Sequence, residues 1–145
     1  MAEMVQASHV LTVATRGKGF TEITGDLAHW IESFAAEDGL LTVFVRHTSA
    51  SLTIQENADP SVRLDLLDAL EALAPETRNY AHREEGPDDM PSHIKAMLTS
   101  VSLGIPVRDG RMTLGTWQGV YLIEHRAQPH QRTIVLSFIG HAAAA

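Results

Sequence analysis

The stretch YAHREEGPDDMPSH, from Tyr80 to His93, places two imidazoles and four carboxylates around one glycine and two prolines. Histidine changes charge near neutrality and is the common nitrogen ligand of zinc-like ions, so this composition suits metal binding or proton transfer. His82 and Glu84 share one side of an extended chain. Asp88 and Asp89 stand just before a predicted helix, where free N–H groups favour anions. The plainer alternative is a solvated loop whose acids cap that helix. His47 lies far off in RHTSAS, where a basic side chain, an imidazole and three hydroxyls could hold a phosphate or merely bond their own backbone in a turn. In GTWQGVYLIEHR, Glu124 follows an apolar run; it could ligate a metal, orient an imidazole or act as a base, or be an exposed strand-end charge. No HExxH spacing, GxSxG elbow or phosphate-loop glycine pattern occurs.

These candidates need elements to position them. VQASHVLTVATRG, with its β-branched residues and partial alternation, predicts a strand ended by Gly17. Ile23, Leu27, Trp30, Ile31 and Phe34 recur at helical spacing, with Thr24 as cap and Gly39 as a left-handed stop, predicting a helix across that whole stretch. LLTVFVR and SLTIQEN read as two strands on either side of His47 to Ser51. Asp59 as N-cap and Pro60 at the first helical position begin a second helix, whose buried stripe is expected at Val62, Leu66, Leu70 and Leu73. A short helix is expected to begin at Pro91. Four strands follow in VSLGIPV, RMTL, GVYLIEH and RTIVLSFIG, the first pair joined by a hairpin at Asp109-Gly110. Helices placed early and a closing strand meander predict an α+β fold.

The chain has 145 residues, 44% of them hydrophobic and 20% charged, which suits one folded domain. A formal net charge of −7 argues against a nucleic-acid partner. The absence of cysteine removes disulfides and thiolate chemistry. No apolar run reaches the ~18 residues of a membrane span and no leader pattern is visible, so a cytoplasmic protein is expected.

HTSASLTIQENADPSVRLDL, YAHREEGPDDMPSHIKAML and GRMTLGTWQGVYLIEHR closely resemble the three signature regions of the YjbQ-type family, over most of the chain from about Leu40 to Gly140. The resemblance implies a β-sandwich-like α+β domain with about three helices, covering residues 1–141 with 142–145 as a loose tail, and assembled as a homotrimer. It also implies an activity, because family members are described as secondary thiamine-phosphate synthases: they join hydroxymethylpyrimidine diphosphate to thiazole phosphate and release diphosphate. By that resemblance His47, His82 and His93 form a histidine cluster holding a divalent metal ion, magnesium or zinc, or the diphosphate. Glu124 orients an imidazole or serves as base. Thr48, Ser49, Lys95 and Arg126 bind phosphate oxygens of a small phosphorylated substrate, and Trp117 and Gln118 shape the pocket. Two other functions suit the same residues: a metal or phosphometabolite binder without turnover, and a metal-assisted phosphohydrolase.

Overall fold

A computed structural model describes residues 2–144 as eight strands and three helices. The strands are β1 (Ala2–Ala14), β2 (Gly19–Glu22), β3 (Ala36–Val45), β4 (Ala50–Glu56), β5 (Ser102–Arg108), β6 (Arg111–Met112), β7 (Gln118–Glu124) and β8 (Gln131–Ala143). The helices are α1 (Thr24–Ser33), α2 (Pro60–Leu73) and α3 (Asp89–Leu98). Five strands form an antiparallel sheet in the order β1-β8-β3-β5-β6, and three form a second in the order β2-β7-β4. Alternation decides which side chains go inside. Leu41, Val43 and Val45 of β3 and Ile134, Leu136 and Phe138 of β8 meet Ala50 and Leu52 of β4, Val120 and Leu122 of β7, and Ile23, Leu27 and Ile31 beside and within α1, in one apolar cluster. Each of these side chains other than Ala50 contributes about 1.5–3 kcal/mol by leaving water. The fold is the expected α+β.

β7 is buried on both faces. Val120 and Leu122 turn to the core, while Tyr121 and Ile123 lie on the other side. There Arg63 of α2 reaches the Tyr121 hydroxyl at 3.1 Å with its guanidinium over the ring.

Several boundaries differ from expectation. The first helix stops at Ser33, and Ala35 takes the left-handed conformation expected of Gly39, with φ 54°. The reason is tertiary: Ala36 pairs with Ala142 and Gly39 with Gly140, so the sheet captures residues whose spacing also suits a helix. Gly39 serves close approach instead, since a Cβ there would lie 2.5 Å from the Ile139 carbonyl oxygen. Thr24 does not cap α1; its hydroxyl donates to Glu22 and accepts from the Val120 N–H at 2.8 Å. β2 goes unforeseen because its four residues, the first of them Gly19, leave little periodicity. Asp59 does cap α2, accepting from the Ser61 N–H at 2.9 Å. The expected stripe of α2, however, is only half-buried, and Leu73 is 64% exposed. α3 begins at Asp89, two residues before Pro91. The alanines at 142 and 143, expected in a loose tail, pair with Glu3 and Ala2, and residue 145 lies outside the described residues.

Candidate metal centre on the loop before α3

The loop between α2 and α3 turns on Gly86, whose φ of 105° favours a residue without a Cβ. Beyond it come Asp88 and Asp89, both buried. Asp88 occupies the N-cap position, yet its side chain does not cap. It accepts instead from Arg126 Nε at 3.0 Å and from the Ala127 N–H at 2.8 Å. Arg126 also donates through Nη1 to Asp89 Oδ1 at 2.8 Å and through Nη2 to the Glu85 carbonyl at 3.0 Å. One guanidinium therefore ties the loop, the helix start and the end of β7 together. The capping reading of these acids is thereby corrected.

Fixing Oδ1 aims the other oxygen of Asp89. Its Oδ2 lies 2.6 Å from His82 Nε2 and 3.1 Å from His93 Nε2. His93 is four residues after Asp89, so one turn of α3 puts the two on the same face. Ligand atoms of His82, Asp89 and His93 all lie within 4.8 Å of one another. The tautomer of His93 follows from its second contact. Its Nδ1 is 2.8 Å from the Thr48 carbonyl oxygen, which can only accept, so Nδ1 carries the proton. In the neutral ring Nε2 is then a lone pair facing a carboxylate, a contact that requires a positive charge between them: a proton or a metal ion. Such a carbonyl partner is the usual device that orients a ligating imidazole.

The electrostatics agree. Burial opposes ionisation of Asp89, but its hydrogen bond with His82 and the charges of His93 and Arg126 hold its carboxyl below the ordinary range. The hydrogen bond to Asp89 raises His82. Asp88 likewise ionises more readily than usual, since Ala127 and Arg126 outweigh its burial. The Asp88–Arg126 pair is balanced, which leaves Asp89 as negative charge for a cation held with the two imidazoles.

The other expected site residues fall elsewhere. His47 is not part of the trio: its Nε2 accepts the Thr133 N–H at 2.8 Å, and burial and the Arg132 charge lower its pKa, so it is a neutral ring committed to backbone. It borders a cleft of about 350 Å³ together with Thr48, His93, Ala96 and Met97. Glu124 is 1% exposed and takes Arg132 Nε at 2.8 Å, Thr15 Oγ1 at 2.6 Å and the Arg126 N–H at 3.1 Å, with a second Arg132 contact through Nη2. Burial opposes its ionisation, but Arg132 outweighs that and holds it charged. With both oxygens taken, Glu124 neither orients the site's imidazoles nor has a lone pair to act as base. Ser49 Oγ accepts from Arg132 at 3.0 Å. Lys95 is 2% exposed and its ammonium is matched by Glu71 of α2, which also takes Lys18 at 3.0 Å. Arg126 grips carboxylates rather than a phosphate. Trp117 is 64% exposed, and it and Gln118 stand at the start of β7, seven residues of strand away from Arg126, a distance of roughly 25 Å at the usual rise per residue.

Two residues the sequence reading left out of the site are Asp89 and His125. The i,i+4 spacing of Asp89 and His93 was the available signal, hidden by placing the helix start at Pro91. His125 is buried with Nε2 2.8 Å from Ser51 Oγ, and burial, helped by the Lys95 charge, lowers its pKa to about 4. Its neutral ring belongs to the packing between β7 and β4.

A family profile described as UPF0047 protein YjbQ-like matches residues 9–141. A UPF0047 protein of Synechocystis sp. is 48% identical over 136 residues, covering 93% of this chain and 92% of that protein. The UPF0047 protein YjbQ of Salmonella typhimurium is 44% identical over 131 residues, covering 90% and 95%. Among solved structures, a YjbQ/UPF0047 family protein of Clostridium acetobutylicum superposes with a TM-score of 0.81 at 34% identity, covering 92% of this chain and 99% of that one. A YbjQ-like protein of unknown function from Sulfolobus solfataricus has the same fold, with a TM-score of 0.88 at 22% identity, covering 95% and 99%. With residues 9–141 matched by the family profile and two relatives above 40% identical over nine-tenths of its length, the chain belongs to the YjbQ/UPF0047 family.

Proposed function

We propose that His82, Asp89 and His93 hold a divalent metal ion and that the protein uses it on a small phosphorylated substrate. One observation carries this reading: His93 Nε2 faces Asp89 Oδ2 at 3.1 Å while its Nδ1 proton is given to the Thr48 carbonyl, so the pair takes a positive charge between them, a place that a metal ion can fill instead of a proton. Two imidazoles and one carboxylate leave coordination positions open, which is the pattern of catalytic rather than structural sites. The nitrogen donors favour zinc or a neighbouring transition ion over magnesium, which prefers oxygen. When bound, such an ion would polarise a phosphoryl oxygen and stabilise charge on a departing phosphate or diphosphate.

The chain's own groups prepare that chemistry. Arg126 fixes Asp89, the Thr48 carbonyl fixes His93, and His82 stands on the exposed side where substrate enters. In the finer form of the reading, suggested by the resemblance of the signature regions, the reaction is thiamine-phosphate synthesis. The hydroxymethylpyrimidine carbon exchanges its bond to diphosphate for one to the thiazole nitrogen. Positioning and charge stabilisation suffice for such a displacement, and no covalent intermediate with the protein is required. The commitment of Glu124 to Arg132 favours a second reading, binding without turnover, since the expected base has no free oxygen. The homotrimer belongs to the same proposal. It is supported by α2, which buries none of its residues within one chain and leaves Leu64 62% exposed.

Incubating the purified protein with hydroxymethylpyrimidine diphosphate, thiazole phosphate and zinc or magnesium separates the readings by product. The synthase reading predicts thiamine phosphate with one diphosphate per turnover, lost in Asp89→Ala. Phosphate release without coupling would identify a hydrolase, and saturable binding without product a binder. Sedimentation velocity of the same sample tests the trimer, and a monomer would overturn it.

A further inference from the structure

The cations first expected to meet phosphate are internally matched: Lys95 by Glu71 and Arg126 by Asp88 and Asp89. A different pair remains. Arg78 and Arg83 have no salt-bridge partner among the described residues, and both line a cleft of about 300 Å³ next to the trio, with Asn79, Tyr80 and His82 on its walls. We propose that this cleft is an anion subsite, in which Arg78 and Arg83 receive a terminal phosphoryl group of the substrate while the reacting end lies at His82, Asp89 and His93.

Four features of the cleft support it. The cleft is partly pre-organised: Tyr80 is pinned by its hydroxyl, which donates to the Pro75 carbonyl at 2.8 Å, and the Arg78 guanidinium lies 6.0 Å from the centre of that ring. Glu76, the one carboxylate on the wall, is neutralised by Lys18, so the lining is net positive. Glu84 and Glu85 line a neighbouring hollow that shares His82 and Arg83 with this cleft, with Glu85 3.4 Å from His82, so an anion is favoured on the Arg78 side, away from the two glutamates. Finally, His82 borders this cleft while His93 borders the more apolar one with Ala96 and Met97, so the trio divides a charged end from an apolar end. Planar guanidinium donors match phosphate oxygens in pairs, which lysine does not, and two such contacts make a dianionic phosphoryl group the favoured ligand.

The link between this subsite and the trio rests on the metal reading above, so the test reads the two separately. The full chain, freed of metal, is titrated calorimetrically with inorganic diphosphate, and in separate runs with zinc. Both arginines are exposed, so the Arg78→Gln, Arg83→Gln double variant is expected to fold normally. It should bind diphosphate about tenfold or more weakly and zinc unchanged. The double lysine variant should fall between it and the wild type. His93→Ala, whose ring lies outside this cleft, should lose zinc while keeping diphosphate affinity within about threefold. Equal diphosphate affinity in the glutamine variant and the wild type overturns the subsite, as does a wild type without saturable binding up to about 1 mM. Diphosphate binding that the glutamine variant loses, in a protein that never binds zinc, upholds the subsite and removes the metal reading.

Discussion

Two clusters of the same residue types lie at the same end of β7 and behave in opposite ways. Around Glu124, the carboxylate is closed off, with Arg132, Thr15 and the Arg126 N–H using both oxygens in a site that is 1% exposed. Around Asp89, one oxygen is fixed by Arg126 and the other is shared by two imidazole nitrogens, of which His82 Nε2 also lies 3.4 Å from Glu85. The difference is one of access and sharing. A fully buried carboxylate ringed by fixed donors is a structural element, whereas one carboxylate oxygen shared by two imidazoles near the surface is an arrangement that could hold a cation.

Breaking the closed cluster should cost most. Glu124→Ala leaves Arg132 buried without a partner, and a loss of about 3–5 kcal/mol is expected in urea unfolding. Zinc affinity of the protein that remains folded should not change; a stable Glu124→Ala variant would dissolve the contrast.

A second buried group sharpens it through pH. His125 is neutral in the folded chain with a pKa of about 4 and ordinary, near 6.5, when unfolded. Between those values the unfolded state binds more protons, so the contribution of His125 is complete above pH 6.5 and declines as pH falls towards 4. By pH 5 the expected loss is about 2 kcal/mol. His82 acts in the opposite sense, since its raised pKa stabilises the fold at low pH and that effect fades as pH rises through it. The unfolding midpoint of His125→Asn should therefore fall less from pH 7 to pH 5 than that of the wild type. Equal pH dependence would mean that the ring is not buried neutral.

A smaller effect is expected at the hinge between the clusters. Arg126→Lys cannot hold Asp88 and Asp89 together, so Asp89 loses its aim, and zinc should bind about tenfold more weakly. Unchanged affinity would show that Asp89 is positioned by the helix alone.

How much of this could be read from the sequence depended on range. The cap at Asp59, Pro60 at the start of α2 and the Asp109-Gly110 hairpin are local devices, and each formed as expected. Residues 34–39 were ambiguous because their apolar spacing suits a helix until β8 offers them a strand partner. His82 and His93 stood out by residue type, and the fold brings their ring centres to 5.6 Å. The commitments of Glu124, Lys95 and Arg126 were not, because their partners lie 8, 24 and 37 residues away and no pattern within one element reveals them. Composition showed that cations were present; only the fold showed which were already taken. No described helix is long and apolar enough to cross a membrane, in keeping with the hydropathy reading.

The most direct test is zinc titration of the wild type and of His82→Ala, followed by calorimetry at pH 6 and pH 8. The trio predicts one zinc per chain, at least ~100-fold weaker binding in the variant and a melting temperature nearly unchanged, because His82 is exposed. It also predicts tighter binding at pH 8 than at pH 6, since zinc must displace the proton that Asp89 helps His82 to retain. Equal zinc binding by the two proteins, or none by the wild type at pH 8, would contradict a metal centre at His82, Asp89 and His93.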